Sequence, residues 1–326
     1  MKKVITTWLG MAVAIAVAGH AAEAQSPDKP YPDKPIKFVV PFAAGSATDV
    51  LARVLADHAA KANGWSTVVE NMAGANGAIA ARTVARAAPD GTSVLITTNT
   101  THGANQSMMK SVPYDAVKDF VPLTKLGTIT LALVTHPSVP AKSVADLVAY
   151  TKASPGKLTF GAGSSSARMA AELMKSQAGI DIRHVAYRSN PLAMQDLIGG
   201  HISMMFADVT TTLPQVKTGT VNGLAVSSLK RTALAPDLPT MDEAGLKGYE
   251  LIAWFGAFAP AGTPEPIAAR LRQALVGAIG DVEGKQRLAT AGIEPEISTS
   301  AELAAFVVAE IAKWAAIVKT AGIEPE

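Results

Sequence analysis

Cysteine is absent from the 326 residues of the chain. This absence excludes disulfide bonds, thiolate metal sites and cysteine nucleophiles, and it removes the usual attachment point of a lipoprotein. Aromatic residues are scarce, at 5% of the chain, and the formal net charge of +2 reflects a near balance of basic and acidic side chains. Nucleic-acid binding uses clustered Lys and Arg with aromatic residues nearby. The chain has no such cluster, so we expect no nucleic-acid partner.

Apolar runs long enough to cross a membrane are also lacking. Lys2 and Lys3 precede an apolar run at 8–18, and the small residues Ala22 and Ala24 follow at the positions that a signal peptidase reads. The run is shorter than the roughly 20 residues that a membrane span requires, and the pattern is typical of a cleaved signal peptide. We therefore expect a leader over residues 1–24, with a retained anchor as the alternative. An exported chain without a lipid attachment point is expected in the Gram-negative periplasm.

Short β-branched runs alternate with Ala-rich segments of helical character, which predicts an α/β fold with a largely parallel sheet. The predicted strands are 36–40, 67–70, 93–97, 158–160, 184–186, 202–206 and 224–226. The predicted helices are 48–62, 78–88, 143–154, 167–178, 191–199, 213–218, 266–279 and 301–320.

Two longer stretches interrupt this alternation and indicate two lobes. A mature chain of about 300 residues exceeds what one hydrophobic core usually organises. The stretch 121–136 is too long and apolar for one ordinary strand, and 250–264 reads as an aromatic-rich strand that ends in Pro and Gly. We interpret both as crossovers between lobes. The first lobe is then expected to comprise 25–128 and 229–326, and the second 129–228. A ligand is expected in the cleft between them.

Three predicted strand-to-helix loops share a composition of glycine and hydroxyl residues. They are "FAAGSATD" at 42–49, "TTNTTHG" at 97–103 and "GAGSSSA" at 161–167. Ligands of open α/β sheets gather at the carboxyl ends of strands, and a helix N-terminus with unpaired N–H groups suits an anion. Helix capping by Ser46 and Ser166 is the alternative. Capping explains one serine per helix, but not three in succession or Gly45 beside Ser46.

Other site chemistries find little support. "GAGSSSA" imitates a dinucleotide fingerprint, but its third glycine is replaced by Ser166 and the next strand is not followed by an acid for a ribose. The histidines are scattered without the spacing of metal ligands. We therefore expect neither cofactor nor metal. An exported hydrolase that uses Ser46 or Ser165 remains an alternative, since His102 is a candidate base.

The stretch "YPDKPIKFVVPFAAGSATDVLARVLA" at 31–56 resembles the N-terminal signature of the solute receptors of tripartite tricarboxylate transporters, the Bug or TctC family. The resemblance continues through "VVENMAGANGAIAARTVARAAPDGTSVLI", "VPYDAVKDFVPLT", "GAGSSSARMAAELMKSQAGIDIRHVAYRSN", "LIGGHISMMFAD" and "APAGTPEPIAARL". These motifs cover nearly all of the chain after its leader, in order. The resemblance implies a two-lobed, type II-like periplasmic binding protein that is not an enzyme. It further implies a monomer that closes on a small carboxylate and delivers it to inner-membrane transporter subunits.

The resemblance also implies which residues hold the ligand. In the family, the loop after the first strand and the Gly/Ser loop of the second lobe hold the carboxylate. The residues after the third strand line the same cleft, an acidic position lies nearby, and a Tyr-Lys pair stands where this chain has Tyr187 and Arg188. The expected ligand-binding residues are Phe42, Gly45, Ser46, Asp49, Thr98, Asn99, Thr100, His102, Gly163, Ser164, Ser165, Ser166, Tyr187 and Asp208.

The chain departs from the family at the first loop. Where the family commonly has Pro-Pro-Gly-Gly, this chain has Ala43, Ala44, Gly45 and Ser46. The Ser46 side chain narrows the space and adds a donor and an acceptor. The ligand stays open between a dicarboxylate or tricarboxylate, an aromatic acid and an amino acid, whose amino group Asp208 would meet. A signalling receptor that presents its ligand-loaded form to a sensor is the alternative to transport.

Overall fold

The structure, a computed structural model, describes residues 31–320 and 322–325. The leader expected over residues 1–24 lies outside these residues. The strands are β1 (Ile36–Val40), β2 (Thr67–Asn71), β3 (Ser93–Thr98), β4 (Phe120–Thr135), β5 (Thr159–Ala162), β6 (Arg183–Ala186), β7 (Met204–Asp208), β8 (Asn222–Val226), β9 (Ile252–Pro260) and β10 (Ile293–Glu294). The helices are α1 (Ala47–Asn63), α2 (Ala78–Ala85), α3 (Asn105–Met108), α4 (Val144–Ala153), α5 (Ser165–Ala178), α6 (Asn190–Ile198), α7 (Val209–Lys217), α8 (Glu265–Gly280), α9 (Val282–Thr290) and α10 (Ser300–Thr320).

The strands form two sheets that share β4. In the first sheet, β2, β1 and β3 run parallel, and β9 joins β3 to β4 through antiparallel pairing. In the second, β5 pairs in parallel with β6 and β7, while β7 and β8 run antiparallel to β4. β4 spans both sheets, which agrees with the crossover expected at 121–136. The stretch 250–264 contains β9, which pairs within the first sheet, so its role as a crossover stays a prediction. The exact lobe boundaries expected at 128/129 and 228/229 stay a prediction.

One buried hydroxyl ties together the two segments that are expected to pass between the lobes. β4 pairs with β9 up to Thr130 and with β7 from Leu131 onward. Ser227 lies directly after β8 and is fully buried. Its Oγ accepts the Leu131 N–H at 3.0 Å and donates to the carbonyl oxygen of Leu251, just before β9, at 2.6 Å. Both segments are thus fixed to the same side chain.

Apolar side chains from both sheets and their covering helices form the core. Strands β1 and β3 are buried along most of their length, as expected for parallel strands that are covered on both faces. Helix α5 is buried at 165–167 and again at 169–172, and its buried alanines let it lie close to β7. No helix in the described part of the chain is long and apolar enough to cross a membrane.

The predicted strands and helices are present with shifted ends, whereas α3, α9 and β10 were not predicted. Ser46 caps α1 as predicted, since its Oγ accepts the Asp49 N–H at 3.3 Å. The prediction that Ser166 caps the helix of the second lobe was wrong, because Ser164 is the N-cap and accepts the Ala167 N–H at 3.2 Å. The strand predicted at 202–206 instead ends at Asp208, which places that carboxylate at the carboxyl end of β7.

Candidate functional site

A small cleft lies where the carboxyl ends of strands from both sheets meet. Its lining residues are Phe42, Ser46, Thr48, Thr98, Gly163, Ser164, Ser166, Asn190, Asp208, Ala253 and Phe255. Lysine, arginine and histidine are absent from this set of described residues. The walls therefore combine hydroxyl, amide and apolar groups with a single carboxylate, that of Asp208.

Four helices begin at this cleft. Ser46 is the N-cap of α1, Ser164 that of α5 and Asp208 that of α7, while Asn190 is the first residue of α6. A helix N-terminus carries unpaired N–H groups and a partial positive charge. Because four of them converge on one small space, the site favours an anion without any cationic side chain in its wall.

The loop before α1 is held in shape by Asp49, which lies behind the lining residues. Gly45 adopts a left-handed conformation with φ of 81°, and its N–H donates to Asp49 Oδ2 at 2.9 Å. Arg53 and Asn71 also donate to the same carboxylate, at 3.1 and 3.0 Å. Burial opposes ionisation of Asp49, but the hydrogen bonds from Arg53, Gly45 and Asn71 outweigh it and lower the pKa of this carboxyl. Asp49 therefore acts as an ionised anchor for the loop that carries Ser46.

Gly163 and Asn190 form the opposite wall in the second lobe. The Gly163 N–H donates to Asn190 Oδ1 at 3.0 Å. A Cβ atom at Gly163 would lie 1.9 Å from the carbonyl carbon of Ser189 and 2.2 Å from the nitrogen of Asn190. Only glycine fits at position 163, because a side chain there would collide with backbone atoms.

Asn99, Thr100 and Ser165 lie beside the cleft lining and join the two lobes directly. The Ser165 N–H donates to Thr100 Oγ1 at 3.2 Å, and Ser166 Oγ donates to Asn99 Oδ1 at 3.1 Å. All four residues are buried. These two hydrogen bonds connect the lobes across the cleft. They identify the conformation as one in which the lobes are in contact.

His102 is not brought to the cleft. Its ring stacks on Phe258 with 3.8 Å between centroids, and its Nδ1 lies 2.9 Å from Thr101 Oγ1. Complete burial lowers the pKa of His102 to about 3, so the imidazole is neutral. Ser165 Oγ has no hydrogen-bond partner among the described residues, and Ser46 Oγ accepts the Asp49 N–H. Neither serine is paired with His102.

Tyr187 also lies outside the lining, whereas Asp208 lies within it. The Tyr187 hydroxyl donates to Asp196 at 2.6 Å in the second lobe, and burial together with that carboxylate raises its pKa to about 12. Asp208 is partly buried at the end of β7. Burial raises its pKa to about 6, although a hydrogen bond from Asn190 works in the opposite direction.

Some lining residues were not among the predicted ones. Thr48 belongs to the stretch predicted as the first loop and lies in the first turn of α1. Asn190 directly precedes Pro191, which marks a helix start. That proline was the available signal for Asn190. Ala253 and Phe255 come from strand β9, whose aromatic character suggested a connection but gave no indication of the cleft.

Comparison with known proteins shows the family to which this chain belongs. Residues 51–323 match the sequence profile described as tripartite tricarboxylate transporter family receptor. The protein BugT of Bordetella pertussis is 33% identical over 311 residues, which cover 94% of this chain and 95% of BugT. A protein encoded in the tcbD-tcbE intergenic region of Pseudomonas sp. strain P51 is 32% identical, with 93% and 90% of the two chains covered.

Solved structures show the same architecture. Rpa4515 of R. palustris, solved with adipate, superposes with a TM-score of 0.88 at 34% identity, covering 91% of this chain and 100% of its own. The periplasmic binding protein BugD gives 0.87 at 33% identity, with the same coverage. MatC of Rhodopseudomonas palustris, with bound malate, gives 0.83 at 32% identity and covers 88% and 100%. The chain belongs to the Bug or TctC family of tripartite tricarboxylate transporter receptors, whose members are two-lobed substrate-binding proteins.

Proposed function

We propose that this protein captures a small carboxylate between its lobes in the periplasm and delivers it to the membrane subunits of a tripartite tricarboxylate transporter. The observation that carries the proposal is the convergence of four helix N-termini on a cleft whose described lining contains no cation. Family membership supports the transporter as partner. The relatives solved with adipate and malate support a carboxylate as ligand.

Neutral donors are sufficient to hold a carboxylate in such a cleft. Serine and threonine residues at the starts of α1 and α5 line the same space from opposite lobes. When the lobes close, they remove water from the ligand, and each remaining hydrogen bond to its charge becomes stronger in the lower dielectric. We infer that Ser46 and Thr48 hold the ligand from one side and Gly163, Ser164 and Ser166 from the other.

The proposed role is binding and release rather than catalysis. A serine nucleophile requires a base within hydrogen-bond reach. The His102 ring instead forms a hydrogen bond with Thr101 and stacks on Phe258. A ligand that is to be handed on unchanged is best held by groups that neither attack nor transfer protons irreversibly. The wall of hydroxyls, amides and apolar side chains meets this requirement.

Calorimetric titration and thermal-shift measurements with monocarboxylates, dicarboxylates and tricarboxylates test the ligand class. We expect binding of at least one plain carboxylate, and weaker binding after Thr48→Val, which removes a hydroxyl from the lining. The matched control is Thr83→Val on the exposed face of α2. Binding of a cationic or neutral solute, with no carboxylate bound, would contradict the proposal.

Delivery is tested separately from binding. In Gram-negative cells that take up the identified carboxylate through this receptor, deletion of the receptor should abolish uptake, and the wild-type chain should restore it. A pull-down of membrane proteins should recover transporter subunits in a ligand-dependent manner. Normal uptake without the receptor, combined with ligand-dependent capture of a sensor protein, would instead establish signalling.

A further inference from the structure

Asp208 occupies a helix-capping position without capping. It is the N-cap of α7, where an aspartate normally accepts a hydrogen bond from the backbone of the first turn. The Asp208 side chain makes no such bond. Asp208 instead lines the cleft, and it is the one ionisable residue among the described lining residues.

Among the described residues, one side chain donates a hydrogen bond to Asp208, and no charged side chain affects its pKa. Asn190 Oδ1 accepts the Gly163 N–H, so the Asn190 amide nitrogen is the group that donates to Asp208. Strands β4 and β5 and helices α5, α6 and α7 pack against β7. Their titratable side chains are Lys125, Arg168, Glu172, Lys175, Asp196 and Lys217. None of these charges contributes to the pKa of Asp208, which is set by burial and by Asn190.

This arrangement conflicts with an ionised Asp208 when an anion is bound. Ionising a partly buried carboxyl that has one described amide donor is costly, and a second carboxylate in the closed cleft adds repulsion. Two carboxyl groups in such a space are stabilised when they share one proton. The conflict is therefore resolved if Asp208 is neutral in the complex, because its O–H then donates a hydrogen bond to the ligand.

We propose that Asp208 couples ligand capture to protonation, so that a carboxylate enters the closed cleft together with one proton held between its own oxygen and the Asp208 carboxyl. This inference rests on the proposed carboxylate-binding function. Asp208 thereby acts as a specificity residue, which accepts an anion only in its protonated form and would accept an ammonium group only in its ionised form.

The proposed coupling determines how ligand affinity changes with pH. Burial raises the pKa of Asp208 to about 6 in the free protein, so at neutral pH most molecules must take up a proton when the ligand binds. The affinity should therefore fall as pH rises from 6 towards 8, by up to about tenfold per pH unit. The expected uptake at pH 7 is roughly one proton per ligand.

Titration calorimetry on the full chain, with adipate and malate as probes, tests the coupling. Measurements at pH 7 in buffers of different ionisation enthalpy give the number of protons taken up, and a series between pH 6 and 8 gives the slope of affinity. Asp208→Asn should take up no proton and should bind with a flat pH profile, because the amide donates at every pH. Asp146→Asn, at the exposed start of α4, is the matched control and should behave as the wild type.

Each outcome has a distinct meaning. If the probes bind the wild type without proton uptake, the coupling is refuted and carboxylate binding stands. If the wild type binds an α-amino acid without proton uptake and Asp208→Asn loses that ligand alone, Asp208 pairs with an ammonium group and the inference is wrong. If no carboxylate binds at any pH, the proposed function itself fails. The wild-type proton count decides the question even if Asp208→Asn does not fold.

Discussion

Ser166 Oγ and Asn99 Oδ1 lie 3.1 Å apart and join α5 of one lobe to the segment after β3 of the other. With the neighbouring bond from Ser165 N–H to Thr100 Oγ1, this contact makes the closed form partly independent of ligand. Protein groups as well as the ligand therefore stabilise the closed form. Variants that lack one of these hydrogen bonds can measure the contribution of the protein groups.

Thr100→Val should weaken the closed form. The substitution keeps the shape of the side chain but leaves the buried Ser165 N–H without its acceptor. A cost of about 1.4 kcal/mol to the closed state corresponds to a roughly tenfold weaker ligand affinity. Small-angle scattering of the ligand-free variant should show a larger radius of gyration. Thr151→Val removes a buried threonine hydrogen bond within α4 and should leave both quantities unchanged.

Gly163→Ala should deform the wall of the second lobe. The added methyl group would collide with backbone atoms of Ser189 and Asn190, which cannot rotate away as a side chain can. We expect a loss of about 1–3 kcal/mol in the free energy of unfolding, together with a marked fall in ligand affinity. Gly280→Ala at the end of α8 has open space around the new atom and serves as control. Unchanged affinity in Gly163→Ala would exclude this wall from the binding site.

Ser227→Ala should loosen the connection between the lobes. It leaves the Leu131 N–H and the Leu251 carbonyl without their shared partner. We expect about 2–3 kcal/mol lower stability in denaturant unfolding, and faster hydrogen exchange at the Leu131 amide. Ser228→Ala is a close control, because the Ser228 hydroxyl bonds only locally, to the Lys230 carbonyl. Equal behaviour of the two variants would argue against a role for Ser227 at the crossing.

His102 should make the protein sensitive to acid. Its pKa is about 3 in the folded chain and near 6.5 in the unfolded chain, so the unfolded form gains a proton first as pH falls. Stability should therefore decline below pH 6.5, by about 3 kcal/mol at pH 4 from this residue alone.

Unfolding of His102→Gln, followed between pH 7 and pH 4, tests this origin. The variant should be less stable than the wild type at pH 7, since it loses the stacking on Phe258, but its stability should depend less on pH. His201→Gln at the exposed His201 should keep the wild-type slope. A wild-type slope in His102→Gln would assign the acid sensitivity to other groups.

The sequence predicts the alternation of strands and helices because the buried strands, such as β1 and β3, coincide with runs of β-branched residues. It also predicts that the loops with Ser46 and Gly163 approach each other, since strand ends of open sheets collect ligands. It does not decide between Ser164 and Ser166 as the cap of α5, because all three successive serines have the required hydroxyl. Only the extended backbone of Ser164, with φ −154° and ψ 159°, makes it the cap.

The position of His102 illustrates a different limit. "TTNTTHG" has the composition of a polar loop, yet the segment coils into a turn that buries the ring against Phe258. The partners of this ring come from β9, more than a hundred residues away in sequence, and a local pattern carries no information about them. The same holds for Phe255, which reaches the cleft from that strand.

The lack of cationic side chains in the described lining of the cleft also has a kinetic consequence. A receptor that attracts its ligand with exposed lysines or arginines loses this attraction as dissolved salt screens the field over about 10 Å. Here the favourable partial charges are backbone dipoles at helix starts, enclosed by both lobes and effective only at contact distance. The ligand should then reach the cleft by ordinary diffusion. The amount of ligand captured should stay nearly constant between low and high salt concentration.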